Sequence, residues 1–265
     1  MDLLDALVLG VIQGVTEWLP ISSSGHLVIA QEMLGLPARE SLLFDLVVHL
    51  GTLVAVCAYF YRELGRIISA LLTPRSRRDA QRQALWTLGV LLLVATVPAA
   101  VAGLLLSEVV DELFNVATVG AALVANGLVL IAVERTSSAG TRRNATLKDA
   151  VIVGTFQAIS IVPGISRSGI TISGGMLRGL ERETAAVFAF LLSVPTLAGA
   201  FAYGLATLDT YDLDLASAVA GFAAALLTGV IAIAYLLRAV RKGRLWVFGV
   251  YCLAAGSAVL AWALG

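Results

Sequence analysis

The sequence predicts an all-α polytopic membrane protein, with six transmembrane helices plus two re-entrant helical hairpins in an inverted-topology repeat. Three observations predict it. The 265 residues are 59% hydrophobic and only 14% charged, with a mean hydropathy of +0.92, more apolar surface than a soluble domain can hide. Six apolar stretches reach the roughly 20 residues that a membrane-crossing helix needs. Finally, one pattern is written twice at an offset of 144 residues: Gly10, Gln13, Ile21, Ser22, Ser24, Gly25, Gly35 and Leu36 recur as Gly154, Gln157, Ile165, Ser166, Ser168, Gly169, Gly179 and Leu180. Phe44 and Phe188, then Tyr59 and Tyr203, keep the same offset. Interrupted hydrophobic segments at matching places in two halves point to a polar site inside a membrane.

The elements follow in chain order. Leu3–Leu19 stops at Pro20 and His26–Leu34 is too short to cross, so the pair forms a hairpin with its tip at Ser22–Gly25. Spans follow at Leu42–Tyr61, Leu85–Leu106 and Val116–Val133, closing a first repeat of about 1–134. Leu147–Val162 stops at Pro163–Gly164, and the short Ile170–Leu177 completes a second hairpin with its tip at Ser166–Gly169. Spans at Ala185–Ala206, Ala216–Leu237 and Leu245–Leu264 complete a second repeat of about 145–265, within one membrane domain. Non-helical backbone at that depth is tolerated only where protein or a wet cavity satisfies it.

Loop charge orients the spans. Arg62, Arg66, Arg75, Arg77, Arg78 and Arg82 fill one loop; Arg135, Arg142, Arg143 and Lys148 a second; Arg238, Arg241, Lys242 and Arg244 a third. The remaining two connections hold Glu108, Asp111, Glu112, Asp209, Asp212 and Asp214 without Lys or Arg. Basic loops in the cytoplasm leave both termini outside. A hairpin plus three spans is an odd set of crossings, so the second copy inserts upside down and the two tips meet near mid-bilayer. Asp2 and Asp5 take the place of a basic leader region, so the N-terminus does not read as a cleaved signal peptide. A net charge of zero leaves no nucleic-acid footprint. Cys57 and Cys252 read as packing residues. Pro98 and Pro195 read as kinks, Trp18, Trp86, Trp246 and Trp262 as interfacial anchors, His49 as a packing residue and Asp45 as interfacial.

Chemistry is expected where the two copies disagree. Glu17 aligns with Ile161, Ser23 with Arg167, and His26 with Ile170. One half supplies a carboxylate, a hydroxyl and an imidazole; the other supplies a guanidinium. Ser22 and Ser166 suit helix N-caps, with Gly25 and Gly169 allowing tight backbone geometry. Helices starting after Ser23 or Ser24, and at the second tip, aim free N–H groups where an anion is favoured. Arg167 can clamp phosphate oxygens with its fork. Gln13 and Glu17 share one helix face beneath the first tip, and Glu17 suits a divalent cation or a proton. Ser23 or His26 is the candidate nucleophile, the other acting as acid or base. Ionisable groups at such depth are costly and mark function.

At these residues the chain resembles the undecaprenyl-diphosphate phosphatases, also called bacitracin-resistance membrane phosphatases. The first signature reads Gln13-Gly14-Val15-Thr16-Glu17-Trp18-Leu19-Pro20-Ile21-Ser22-Ser23-Ser24-Gly25-His26, and the second Pro163-Gly164-Ile165-Ser166-Arg167-Ser168-Gly169-Ile170-Thr171. The resemblance covers the whole length. It implies hydrolysis of undecaprenyl (polyprenyl) diphosphate to the monophosphate and inorganic phosphate, recycling the lipid carrier of cell-wall and surface polymers at the plasma membrane. It also implies a pocket opening to the outer face and dependence on Mg²⁺ or Ca²⁺, with Glu17 as the metal residue. Glu17, Ser23, His26 and Arg167 match the catalytic positions. Ser22, Ser24, Ser166, Ser168 and Thr171 match phosphate-contacting ones, and Gln13, Gly25 and Gly169 join them as phosphate-binding. Gln13 stands where many members carry Glu, leaving one carboxylate in that element.

The rival is an inverted-repeat transporter or flippase for an anionic lipid or small anion, since broken helices also suit alternating access. Ser23, His26 and Glu17 in one tip argue against it, because a carrier needs no nucleophile. A purely structural membrane scaffold gives no reason to bury Glu17 and Arg167.

Overall fold

The computed structural model describes residues 1–36, 38–137, 140–207 and 214–265, apart from the side chains of 38–41, 108, 110 and 111. Of the acidic loop residues named above, Glu108, Asp111, Asp209 and Asp212 lie outside that description. Among the described residues the elements are helical: α1 (Leu3–Trp18), α2 (Ser23–Leu34), α3 (Ala38–Tyr59), α4 (Tyr61–Leu72), α5 (Ala80–Glu112), α6 (Val116–Thr136), α7 (Leu147–Ile159), α8 (Arg167–Leu177), α9 (Arg182–Thr207), α10 (Leu215–Arg241) and α11 (Leu245–Leu264). Among the described residues, one isolated bridge pairs Arg142 with Leu180.

Six of these helices, α3, α5, α6, α9, α10 and α11, are long and apolar enough to cross a membrane. They coincide with the expected spans to within a few residues at each end. The two short pairs, α1–α2 and α7–α8, break where Pro20 and Pro163–Gly164 stand. Both breaks restart on serine: Ser22 Oγ accepts from Gly25 N–H at 3.3 Å, and Ser166 Oγ accepts from Gly169 N–H at 3.2 Å. These are the N-caps that the repeat predicts. The second helix of the first pair therefore begins at Ser23 itself.

Glycine works here through size. At Gly14 of α1, a Cβ would lie 2.0 Å from Thr228 Oγ1 and 2.5 Å from the Ala225 carbonyl, so α1 and α10 approach at backbone distance, as membrane helices do through small residues. Gly164, at φ +100°, turns the second break hard against Val119 and Ala122 of α6. The first break reaches its turn differently, through Ser22 at φ +70°, the one non-glycine residue with positive φ among those described.

Two expectations need correcting. The basic stretch after the first span is more than a loop, because residues 61–72 form α4, which buries Ile67 and Ala70 against α5. Its apolar residues recur at helical spacing while Arg62, Glu63 and Arg66 face outward. Trp18 is no interfacial anchor: it is 1% exposed and packs edge-on against Phe190, ring centroids 5.5 Å apart. Trp246 and Trp262 are about half exposed, as anchors should be. Cys252 is buried, whereas Cys57 is only partly so.

Candidate active site

Glu17 sits in the last turn of α1, where three donors converge on its carboxylate and a histidine stands close by. Gln13, one turn back, donates Nε2–H to Oε2 at 3.0 Å. Ser23, the first residue of α2, donates Oγ–H to the same oxygen at 2.5 Å. Arg167, the first residue of α8, donates Nη1–H to Oε1 at 3.3 Å. His49 of α3 holds its Nε2 3.9 Å from Oε2. Residues 150 positions apart in sequence thus meet because two helix starts face one helix end. Glu17 is 7% and Gln13 0% exposed.

The breaks are tied to each other through backbone atoms that a chain break would otherwise leave unpaired. Gly164 N–H donates to Ser22 Oγ at 3.1 Å. Ser168 Oγ donates to the Leu19 carbonyl at 3.2 Å, and Ser166 Oγ reaches the same carbonyl at 3.4 Å. Asn126 of α6 bridges both: its Nδ2–H donates to the Pro20 carbonyl at 3.0 Å, and its Oδ1 accepts from Ser166 N–H at 3.1 Å. Ser24 lies 3.4 Å from Ser22 Oγ. Thr171 donates into its own helix, to the Arg167 carbonyl at 2.7 Å. The hydroxyls of Ser22, Ser166 and Ser168 are thus engaged in capping and cross-linking the breaks.

A cavity of about 10 Å³, room for one water, is lined by Glu17, Trp18, Arg167, Ser168, Thr171, Ala189, Phe190 and Ser193. Glu17 and Arg167 therefore share one cavity. His26 stands apart from its wall. Its Nδ1 lies 2.8 Å from the Ser22 carbonyl and its Nε2 lies 2.8 Å from the Tyr251 hydroxyl of α11. The group beside the Ser23 hydroxyl is the Glu17 carboxylate, whereas the sequence pairs Ser23 with His26.

The donor set does not fit a resident divalent cation. Mg²⁺ or Ca²⁺ asks for several oxygen ligands, and among the described residues no three His, Cys, Asp or Glu side chains gather anywhere. The one carboxylate is shared by Gln13, Ser23 and a guanidinium.

Sequence reasoning missed Asn126, Tyr251 and the approach of His49. It also read Arg142 only as loop charge. Arg142 donates to both carboxylate oxygens of the buried Asp149, at 2.8 and 3.1 Å, and Arg178 donates Nε–H to Asp149 Oδ1 at 3.0 Å. Burial opposes the charge of Asp149, but Arg142, Thr146 and Arg178 outweigh it and hold the carboxyl well below the usual range. This staple fixes the start of α7 to the end of α8. Its only sequence signal is an Asp three residues after Thr146, a capping box.

Comparison with known proteins adds the following. The profile of the family described as "Bacitracin resistance protein BacA" matches residues 6–258. The chain is 42% identical over 265 residues to an undecaprenyl-diphosphatase of Korarchaeum cryptofilum, covering 98% of this chain and 99% of that protein. It is 39% identical over 268 residues to one of Geobacter sulfurreducens, covering 99% and 98%. It is 40% identical over 269 residues to one of Carboxydothermus hydrogenoformans, covering 98% and 97%.

Proposed function

We infer that this chain, which belongs to the bacitracin resistance protein BacA family, is a membrane phosphatase that hydrolyses undecaprenyl diphosphate to the monophosphate and inorganic phosphate, recycling a lipid carrier. One observation carries the assignment of roles: a single buried carboxylate stands between a serine hydroxyl at 2.5 Å and a guanidinium at 3.3 Å. Glu17 is the base for Ser23. As Ser23 Oγ bonds to the terminal phosphorus, its proton passes to Glu17 and the bond from that phosphorus to the bridging oxygen breaks. Water then cleaves the phosphoserine and Oγ recovers the proton. Arg167, loaned to Glu17 in the structure, turns to the phosphoryl oxygens, where fixed positive charge is what this chemistry mainly needs. Free N–H groups at the starts of α2 and α8 add to that field. Any divalent cation would be held chiefly by diphosphate oxygens, with Glu17 the one protein carboxylate near it.

The wider arrangement belongs to the same proposal. The pairs α1–α2 and α7–α8 are re-entrant hairpins inserted from opposite faces, in repeats of about 1–134 and 145–265. The pocket opens outward in the plasma membrane, both termini lie outside, and the prenyl tail stays in lipid.

Phosphate release from a short-chain prenyl diphosphate in detergent tests the reaction, because transport leaves no signal without a membrane. Release is expected, and Glu17→Gln should slow it at least about a hundredfold, the usual scale for losing a general base. A purified chain that releases no phosphate would return the question to a carrier.

A further inference from the structure

We propose that Tyr251 is a positioning residue for His26, holding the imidazole with Nε2 as an acceptor; this rests on the reading that His26 belongs to the site. The argument begins at the other nitrogen. Nδ1 lies 2.8 Å from the Ser22 carbonyl, and a carbonyl oxygen can only accept, so Nδ1 carries the proton. A neutral ring then presents a lone pair at Nε2. The Tyr251 hydroxyl, 2.8 Å away, must therefore be the donor. The two rings lie nearly parallel, at 14° with centroids 5.8 Å apart, so stacking fixes the plane while the hydrogen bonds fix the rotation.

Both ends of this string are unusual for their surroundings. Ser22 sits at φ +70°, a conformation that side chains rarely adopt and that neighbouring structure must support. Tyr251 belongs to a uniformly apolar helix whose principal neighbour is α6. The residue is 45% exposed, yet its hydroxyl points to a group 225 positions away. Nothing in the packing of α11 requires that oxygen. The hydroxyl at 2.8 Å therefore holds the ring in the orientation that keeps Nε2 an acceptor.

Tyr251→Phe keeps the stacked ring and removes the donor. The test measures phosphate release by this variant, by His26→Ala and by the double variant. Losing one orienting hydrogen bond should lower kcat about tenfold, with KM within about twofold. The double variant should be no slower than His26→Ala, because Tyr251 acts only through His26. The chain has two histidines, so ¹⁵N labelling gives one Nε2 signal each, assigned from the His26→Ala spectrum. In Tyr251→Phe the His26 Nε2 signal should move toward that of an acceptor without a donor, and the His49 signal should stay. A His26 signal that does not move, or losses that multiply in the double variant, overturn the proposal. Should His26→Ala be too slow for the comparison, the spectrum decides alone. Wild-type turnover in His26→Ala would instead remove the reading beneath it.

Discussion

At Glu17 one oxygen serves a hydroxyl and an amide while the other serves Arg167. That division makes the arginine's shape testable apart from its charge. Arg167→Lys keeps a cation but loses the planar fork and one reach-setting bond length, so it can neither pair with Glu17 at the same distance nor clamp two phosphoryl oxygens together. It should lower kcat/KM roughly a hundredfold, read from initial rates of phosphate release; near-normal rates would defeat the clamp. Glu17 and Arg167 were legible in the sequence because each breaks the repeat with a charge that an apolar segment does not tolerate without cause. His49 was not, because its partner in the copy is Ser193 and nothing within α3 signals that its Nε2 lies 3.9 Å from a carboxylate on α1. Its Nδ1 faces the Asp45 carbonyl at 2.7 Å, which puts a proton on that nitrogen and turns Nε2 toward the site.

The helix breaks behave as one element. Each was visible from Pro20 or Pro163–Gly164 and a following serine, since local chemistry alone stops and restarts those helices. How the two breaks join was not visible, because the bonds that join them span 142 and 149 residues directly and 106 and 40 residues through Asn126. α4 was hidden for a related reason: a 12-residue helix is too short to register as a span, and its arginines draw attention to loop charge. Asn126 satisfies a carbonyl on one side and an N–H on the other while 1% exposed. Asn126→Ala should therefore cost about 1–3 kcal/mol of stability for the stranded groups and also lower turnover, because Ser23 and Arg167 lose their common register. Thermal unfolding in detergent and phosphate release check the two effects. Asn126→Asp, which keeps the acceptor for Ser166 N–H, should recover part of both; equal loss in the two variants would count against a register role.

Across the whole molecule, the six long helices divide three and three between the two sequence copies: α3, α5 and α6, then α9, α10 and α11. An odd number of crossings per copy forces opposite insertion, provided that α1–α2 and α7–α8 each return to the face they entered from. On the proposed topology, the Arg75–Arg77 turn lies in the cytoplasm and both chain ends outside. Ser76 and Gly265 are exposed, and Cys57 and Cys252, the only native thiols, can be replaced to give a cysteine-free background. A Ser76→Cys variant in intact cells should resist a membrane-impermeant maleimide until the membrane is opened, whereas Gly265→Cys should label at once. Labelling of both positions from outside would place a basic turn and the C-terminus on one face. That result requires an even count of crossings between them, whereas α5, α6, α9, α10 and α11 supply five, so the α7–α8 pair would have to traverse the bilayer, and the two tips could no longer approach from opposite sides.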